Sequence, residues 1–256
     1  MGSARSPATS RPWRLIAVVV GLVTTSSVAA QTAAGATDGS PAREHAAALQ
    51  GTATTVARIL APSAVRRRPG AGQVFDRLPT AWRDGGGPVR LLVLEARTDS
   101  RGRPTFVRVL LPRRPNGTSG WVNANHVKLE RTPWRIEISR GERTLTVRRA
   151  GVVVRRIRVV VGKASTPTPG GITAVVDHTR TDPGGFVGSW VLRLALHSNV
   201  IRTELGRGRV AIHGRGGRSL RTPLGTAASH GCIRLANGDV EWLARIAKPG
   251  TPVVIR

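Results

Sequence analysis

Arg135-Ile136-Glu137-Ile138-Ser139-Arg140-Gly141-Glu142-Arg143-Thr144-Leu145-Thr146-Val147-Arg148 is the stretch whose reading decides the fold. Leu145 and Val147 alternate with Thr144, Thr146 and Arg148, and a period of two puts the apolar side chains on one face of a strand. The runs Arg135 to Ser139, Thr144 to Arg148 and Val152 to Val161 are separated by the turns Arg140-Gly141 and Ala150-Gly151. Together they read as a meander of β-hairpins whose solvent face carries many arginines.

Toward the carboxyl end, Thr166-Pro167-Thr168-Pro169-Gly170-Gly171 cannot continue a ladder, because its prolines lack backbone donors and its glycines permit positive φ. It reads as an irregular loop. Asp177 to Arg209 reads as a strand pair, with a lid over a cleft as the alternative. Val240, Leu243, Ala244 and Ala247 recur at helical spacing, Asn237 or Asp239 is placed to cap the start, and Pro249-Gly250 ends the run. Thr251 to Ile255 supplies a last strand. The expected fold class is mainly β: a C-terminal β-sandwich or meander domain over residues 132–256 with one short helix, preceded by a small β-barrel-like module over residues 66–131.

That module is read from Val89 to Ala96, Thr105 to Leu111 and Gly120 to Leu129. Turn clusters separate them at Asp84-Gly85-Gly86-Gly87-Pro88, Asp99-Ser100-Arg101-Gly102 and Pro115-Asn116-Gly117. Residues 31–65 are rich in Ala, Thr and Gly and read as a linker, with helical character only over Glu44 to Leu60. Residues 1–30 have the parts of a signal peptide: Arg5, Arg11 and Arg14, the apolar run Leu15 to Val23, and small residues at Val28-Ala29-Ala30. The apolar run is about half the roughly 20 residues that a membrane span needs. An exported chain with no stable membrane span after leader cleavage is expected, in the periplasm or cell wall at the outer face of the cytoplasmic membrane.

The formal net charge is +26, and all the basic residues but Lys128, Lys163 and Lys248 are arginine. A field of that sign attracts polyanions, anionic cell-wall polymers among them. Nucleic acid is not expected as a partner, because the arginines are spread through strands and are not interleaved with aromatics along a groove.

Cys232 is the single cysteine, so it has no partner for an internal disulfide. It sits in Ser229-His230-Gly231-Cys232-Ile233-Arg234, with His213 upstream in Ala211-Ile212-His213-Gly214. A thiol is mostly protonated near neutral pH, and histidine is the side chain suited to take its proton. His213, His230 and Arg234 are the available activating groups. A structural zinc site is not expected, since four ligands are needed and no second cysteine exists.

The segments His213-Gly214, Leu224-Gly225 and Ser229 to Leu235 resemble the active-site signature of the YkuD-type L,D-transpeptidase catalytic domain family. Val161-Gly162-Lys163, Thr166 to Gly171 and Gly250 to Ile255 resemble that domain in the same order, so the likeness runs from about Trp134 to Arg256. The family often has asparagine where this chain has Arg234. Phe106 to Pro112, with Arg113 to Val122, resembles the bacterial Src-homology-3-like modules that precede wall-modifying domains.

The resemblance implies an enzyme that needs no metal or organic cofactor and acts on peptidoglycan stem peptides. In that scheme Cys232 attacks a stem-peptide carbonyl, D-alanine leaves, and a second stem's side-chain amine resolves the thioester. It implies His213 as the base, with its tautomer fixed by a backbone carbonyl, and backbone N–H groups around Gly231 and Cys232 as the oxyanion hole. Gly214 contributes its backbone, Ser229 holds the turn or bonds substrate, and Arg234 pairs with a stem carboxylate. His230 stays open between catalysis and shaping the wall, and Arg234 between a carboxylate ligand and a pair with Asp239 or Glu241. The competing readings are an L,D-carboxypeptidase using water as acceptor, with the same residues, and a wall-binding protein without catalysis.

Overall fold

The computed structural model describes residues 51–83, 87–201 and 208–256, together with Gly2 and Leu49. The leader reading, the linker up to residue 48 and the Asp84-Gly85-Gly86 turn otherwise lie outside the described residues. The fold is mainly β. Its first sheet holds β1 (Thr54–Ile59), β2 (Ser63–Arg66), β3 (Val74–Leu78), β4 (Arg90–Thr98), β5 (Pro104–Leu110), β6 (Ser119–Asn123) and β7 (Val127–Thr132), in the order β3-β2-β6-β5-β4-β1-β7.

The second sheet begins with β8 (Trp134–Ser139), β9 (Thr144–Arg149) and β10 (Val152–Arg158), the expected meander. After β11 (Val161–Gly162) come β12 (Gly171–Arg180), β13 (Trp190–His197), β14 (Arg209–His213), β15 (Ala227–Ser229) and β16 (Ile233–Arg234). Helix α1 (Asn237–Ile246) and β17 (Pro252–Ile255) close the chain. The strand order is β10-β9-β8-β17-β12-β13-β14-β16, with β11 and β15 forming a separate parallel pair.

β12 explains the curl of this sheet. Its first residues, Gly171 to Ala174, pair with β17, its later ones pair with β13, and the register shifts between Val175 and Asp177. A bulge of that kind bends the strand. The two halves therefore face one another across a single core in which Ile136, Leu145 and Val147 meet Leu192, Leu194, Ile212 and Ile233. α1 adds Val240, Leu243 and Ala244 to that core, the helical spacing read in the sequence.

Two sequence readings need correction. The linker reading of 31–65 fails over its last residues, since β1 and β2 lie there. Thr54 to Ile59 is inserted between β4 and β7, burying Val56, Ala57 and Ile59, and this double pairing overrides the helical preference of its alanine. The run Gly120 to Leu129 is two strands, broken by a 3₁₀ turn at Ala124–His126 where Asn123 Oδ1 accepts the Asn125 N–H at 2.9 Å.

β4 is buried on both faces. Leu91 and Val93 join the core of the first sheet with Val107, Val109 and Val122, while Leu92 and Leu94 pack with Leu110 against Ala174, Val176 and Ala195 of the second. A strand covered on both sides reads as the continuous apolar run Leu91 to Leu94. Asn116 adds a polar clip across the same junction: its Oδ1 accepts the His197 N–H and its Nδ2 donates to the His197 carbonyl, both at 2.8 Å.

Candidate active site

β14 and β16 run parallel in the register Ile212 to Ile233 and His213 to Arg234. Ile212 and Ile233 are fully buried in the core, so the alternation of a strand sends His213 and Arg234 to the opposite face. Cys232, one residue before Ile233, shares the side of Arg234. The sheet thus brings together three of the residues singled out in the sequence.

The turn that presents Cys232 is clamped from within and from outside. Ser229 is buried; its Oγ donates to the Cys232 carbonyl at 2.5 Å and accepts the Gly231 N–H at 3.1 Å. Gly231 sits at φ +113°, a conformation that favours glycine. From outside, Thr168 Oγ1 donates to the Gly231 carbonyl and accepts the Gly162 N–H, each at 2.9 Å. The Lys163 N–H and Thr166 Oγ1 both reach the Ser229 carbonyl, at 3.0 and 3.2 Å. A Cβ on Gly162 would come within 2.4 Å of Thr166 O and Thr168 N, so this close approach requires glycine.

His213 is 3 % exposed, and its Nδ1 lies 2.7 Å from the Gly214 carbonyl. A carbonyl only accepts, so Nδ1 carries the proton and the neutral ring keeps its lone pair on Nε2. Burial lowers the imidazole pKa to about 4. The bonds to the Gly214 and Val187 backbone oppose that shift, and the Arg234 charge adds to it. Cys232 keeps a partly exposed surface, yet burial raises its thiol pKa, opposed by the Ala211 backbone and by Arg234. Near neutral pH the thiol and the imidazole are therefore both neutral.

A loop between β12 and β13 covers this face. Phe186 lies with its ring centroid 6.4 Å from that of His213, while Arg234 Cζ and Arg218 Cζ stand 4.8 and 5.4 Å from it. Ser219 Oγ donates to the Phe186 carbonyl at 2.8 Å. Asp177 to Arg209 thus contains the strand pair read in the sequence, and the connection between those strands overlies the site.

His230 is exposed, and no hydrogen bond or ion pair engages it among the described residues. The Gly231 N–H, expected to face an oxyanion, is taken by Ser229 Oγ, so Gly231 serves the shape of the turn. Arg234 is not paired with Asp239, whose Oδ1 accepts from Arg155 at 2.6 Å. Sequence reading missed Thr168, Phe186 and Asn237. Asn237 does not cap α1, where Ala236 holds the cap position, and its side chain instead joins Ser189, Arg215 and Pro183.

The family model of the L,D-transpeptidase catalytic domain, YkuD, matches residues 133–255. A Bacillus licheniformis protein named as an L,D-transpeptidase YkuD is 32% identical over 158 residues, which cover 59% of this chain and 87% of that one. A Bacillus subtilis protein of the same name is 34% identical over 123 residues, 48% of this chain and 66% of its relative. The chain thus spans slightly less than two thirds of the B. subtilis relative. A solved L,D-transpeptidase from Mycobacterium smegmatis aligns with 76% of this chain and 99% of its own at 19% identity, with a TM-score of 0.39.

Proposed function

The chain belongs to the YkuD family of L,D-transpeptidase catalytic domains, and from that premise we propose that it is an exported, cysteine-dependent enzyme that cross-links peptidoglycan stem peptides. The observation that carries this reading is the buried His213, whose Nδ1 is bonded to Gly214 O on the strand beside Cys232. A base held in that tautomer keeps a lone pair on Nε2 without a carboxylate partner.

In the proposed reaction His213 Nε2 takes the Cys232 proton as Sγ attacks the carbonyl that joins an L-configured centre to the terminal D-alanine. The tetrahedral oxyanion is met by backbone N–H groups of the turn, that of Cys232 first, since the Gly231 N–H is engaged. The C–N bond breaks, the proton passes from His213 to the departing D-alanine amine, and an acyl thioester remains on Cys232. The side-chain amine of a second stem attacks the thioester, His213 takes its proton, and the thiol is restored. Gly214, Ser229 and Gly231 position the reacting groups, Arg234 binds a substrate carboxylate, and His230 stands at the rim. The first sheet is proposed as the module that places the enzyme on the wall, and the leader as its route there. Among the described residues no helix is long and apolar enough to cross a membrane.

The test is incubation of the protein and its Cys232→Ala variant with disaccharide tetrapeptide, read by mass spectrometry. Cysteine-dependent dimers that have lost one D-alanine are expected. Tripeptide monomers alone would convert the reading to a carboxypeptidase, and unchanged substrate with an unreactive thiol would leave a wall-binding protein.

A further inference from the structure

Arg234 is a buried guanidinium and Arg215 a half-buried one, and neither has a counter-charge among the described residues. The Nε–H of each is buried and has no hydrogen-bond partner among the described residues, and no described carboxylate pairs with either. Arg234 is 6 % exposed and stands opposite His213 in the β14–β16 register, and Arg215 lies two residues beyond His213. The Arg215 N–H donates to Asn237 Oδ1 at 3.0 Å and its guanidinium donates to the Thr222 carbonyl at 2.5 Å. Arg234 rests its face on Phe186. A guanidinium carries its five N–H donors in its own plane, so a ring against its face steadies it and consumes none of them.

Burial holds the Arg234 guanidinium below the ordinary arginine range; Cys232 opposes that shift and the Arg215 charge adds to it. Arginine nevertheless remains charged in proteins. A buried charge with a like charge near it is costly unless anions neutralise them, and a single carboxylate leaves one of the two unmatched.

We propose that Arg215 and Arg234 form a two-armed anion subsite beside Cys232 that selects stem peptides bearing two free carboxylates near the scissile bond. One of these is at the terminal D-residue and the other is on the side chain of the diamino acid. The proposal rests on the transpeptidase reading and narrows its substrate. It favours a diamino acid with a free second carboxylate over its amide, and over a diamino acid that lacks that group. A carboxylate accepts two parallel N–H bonds from a guanidinium, and an amide offers one acceptor with no charge.

Equilibrium binding decides it independently of turnover. In the Cys232→Ala protein, which cannot consume the ligand, a tetrapeptide with the free side-chain carboxylate is expected to bind at least about 10-fold more tightly than its amide, a site built for a polar group rejecting the analogue that lacks it. Adding Arg215→Gln is expected to bring the two ligands within about 2-fold of each other, while both still bind, a readout that a structural role for Arg215 would not move. If the Gln variant fails to fold, Arg215→Lys replaces it; that change keeps the charge, loses the fork and is expected to cut the preference by at least about 3-fold. Equal binding of acid and amide, or a preference that survives at position 215, overturns the subsite. Turnover of both peptides at equal rates removes this proposal and keeps the transpeptidase. Selective binding without acylation of Cys232 by either peptide does the reverse.

Discussion

Asn237 Oδ1 accepts the backbone N–H of Arg215 at 3.0 Å, so the first residue of α1 anchors the segment that follows His213. The same oxygen accepts the Ser189 N–H at 3.2 Å, and Nδ2 donates to the Pro183 carbonyl at 3.3 Å. One side chain therefore ties the segment after β14 to both ends of the loop that carries Phe186. The space is cut to fit: a Cβ on Gly188 or Gly214 would lie 2.2 Å from Asn237 Oδ1.

Asn237→Ala leaves two backbone donors without their acceptor. A loss of about 1–3 kcal/mol in unfolding free energy is expected, together with a fall in kcat larger than the loss of folded protein accounts for. Asn237→Asp keeps the acceptor and loses the donor to Pro183, and is expected to retain most of the turnover. Denaturant titration alongside steady-state kinetics checks both. Turnover per folded molecule that is unchanged in Asn237→Ala would remove the positioning role.

His213 offers a pH signature. With its imidazole lowered to about 4, chiefly by burial, the ring stays neutral and able to accept a proton well below the usual histidine range. The rate is therefore expected to hold down to about pH 5 and to fall through an acid limb near 4. Phe186→Ala removes part of the cover over the ring, which weakens the desolvation and should move that limb up toward 6.5. A wild-type limb already at 6.5, or one that does not move in Phe186→Ala, would contradict this account of the site.

How much of this was legible depends on how local the signal is. The β8–β9–β10 meander follows from period-two alternation and turn glycines, which act within a few residues. Cys232 and His213 were legible because a thiol and an imidazole carry their chemistry in their identity. β1 was not, since its place between β4 and β7 is set by partners far along the chain. Thr168 and Asn237 escaped for the same reason. A threonine in a proline-glycine loop and an asparagine at a helix start each have an ordinary local reading, and their use here depends on Gly231, Arg215 and Ser189 arriving from elsewhere. Phe186 gave no signal beyond its hydrophobicity.

Stability is expected to depend on pH through two buried histidines. His197 and His213 are both lowered to about 4, His197 by burial first and then by the charges of Arg209 and Arg114. In the unfolded chain both return to about 6.5. Between those values the unfolded state binds more protons than the folded state, so stability is fully present above pH 6.5 and is lost as pH falls through 4. A loss on the order of 1–2 kcal/mol per histidine is expected after water reaches the opened sites. His197 lies away from Cys232 at the Asn116 clip, and its ring Nδ1 is buried without a hydrogen-bond partner among the described residues. His197→Leu removes that titration while leaving the backbone clip in place. Its melting temperature should therefore fall less steeply between pH 6.5 and 4 than that of the unaltered protein, with the acid limb of turnover unmoved. An equal slope in the two proteins would mean that His197 does not titrate on unfolding, and that His213 and His178, which is also lowered by burial, carry the dependence.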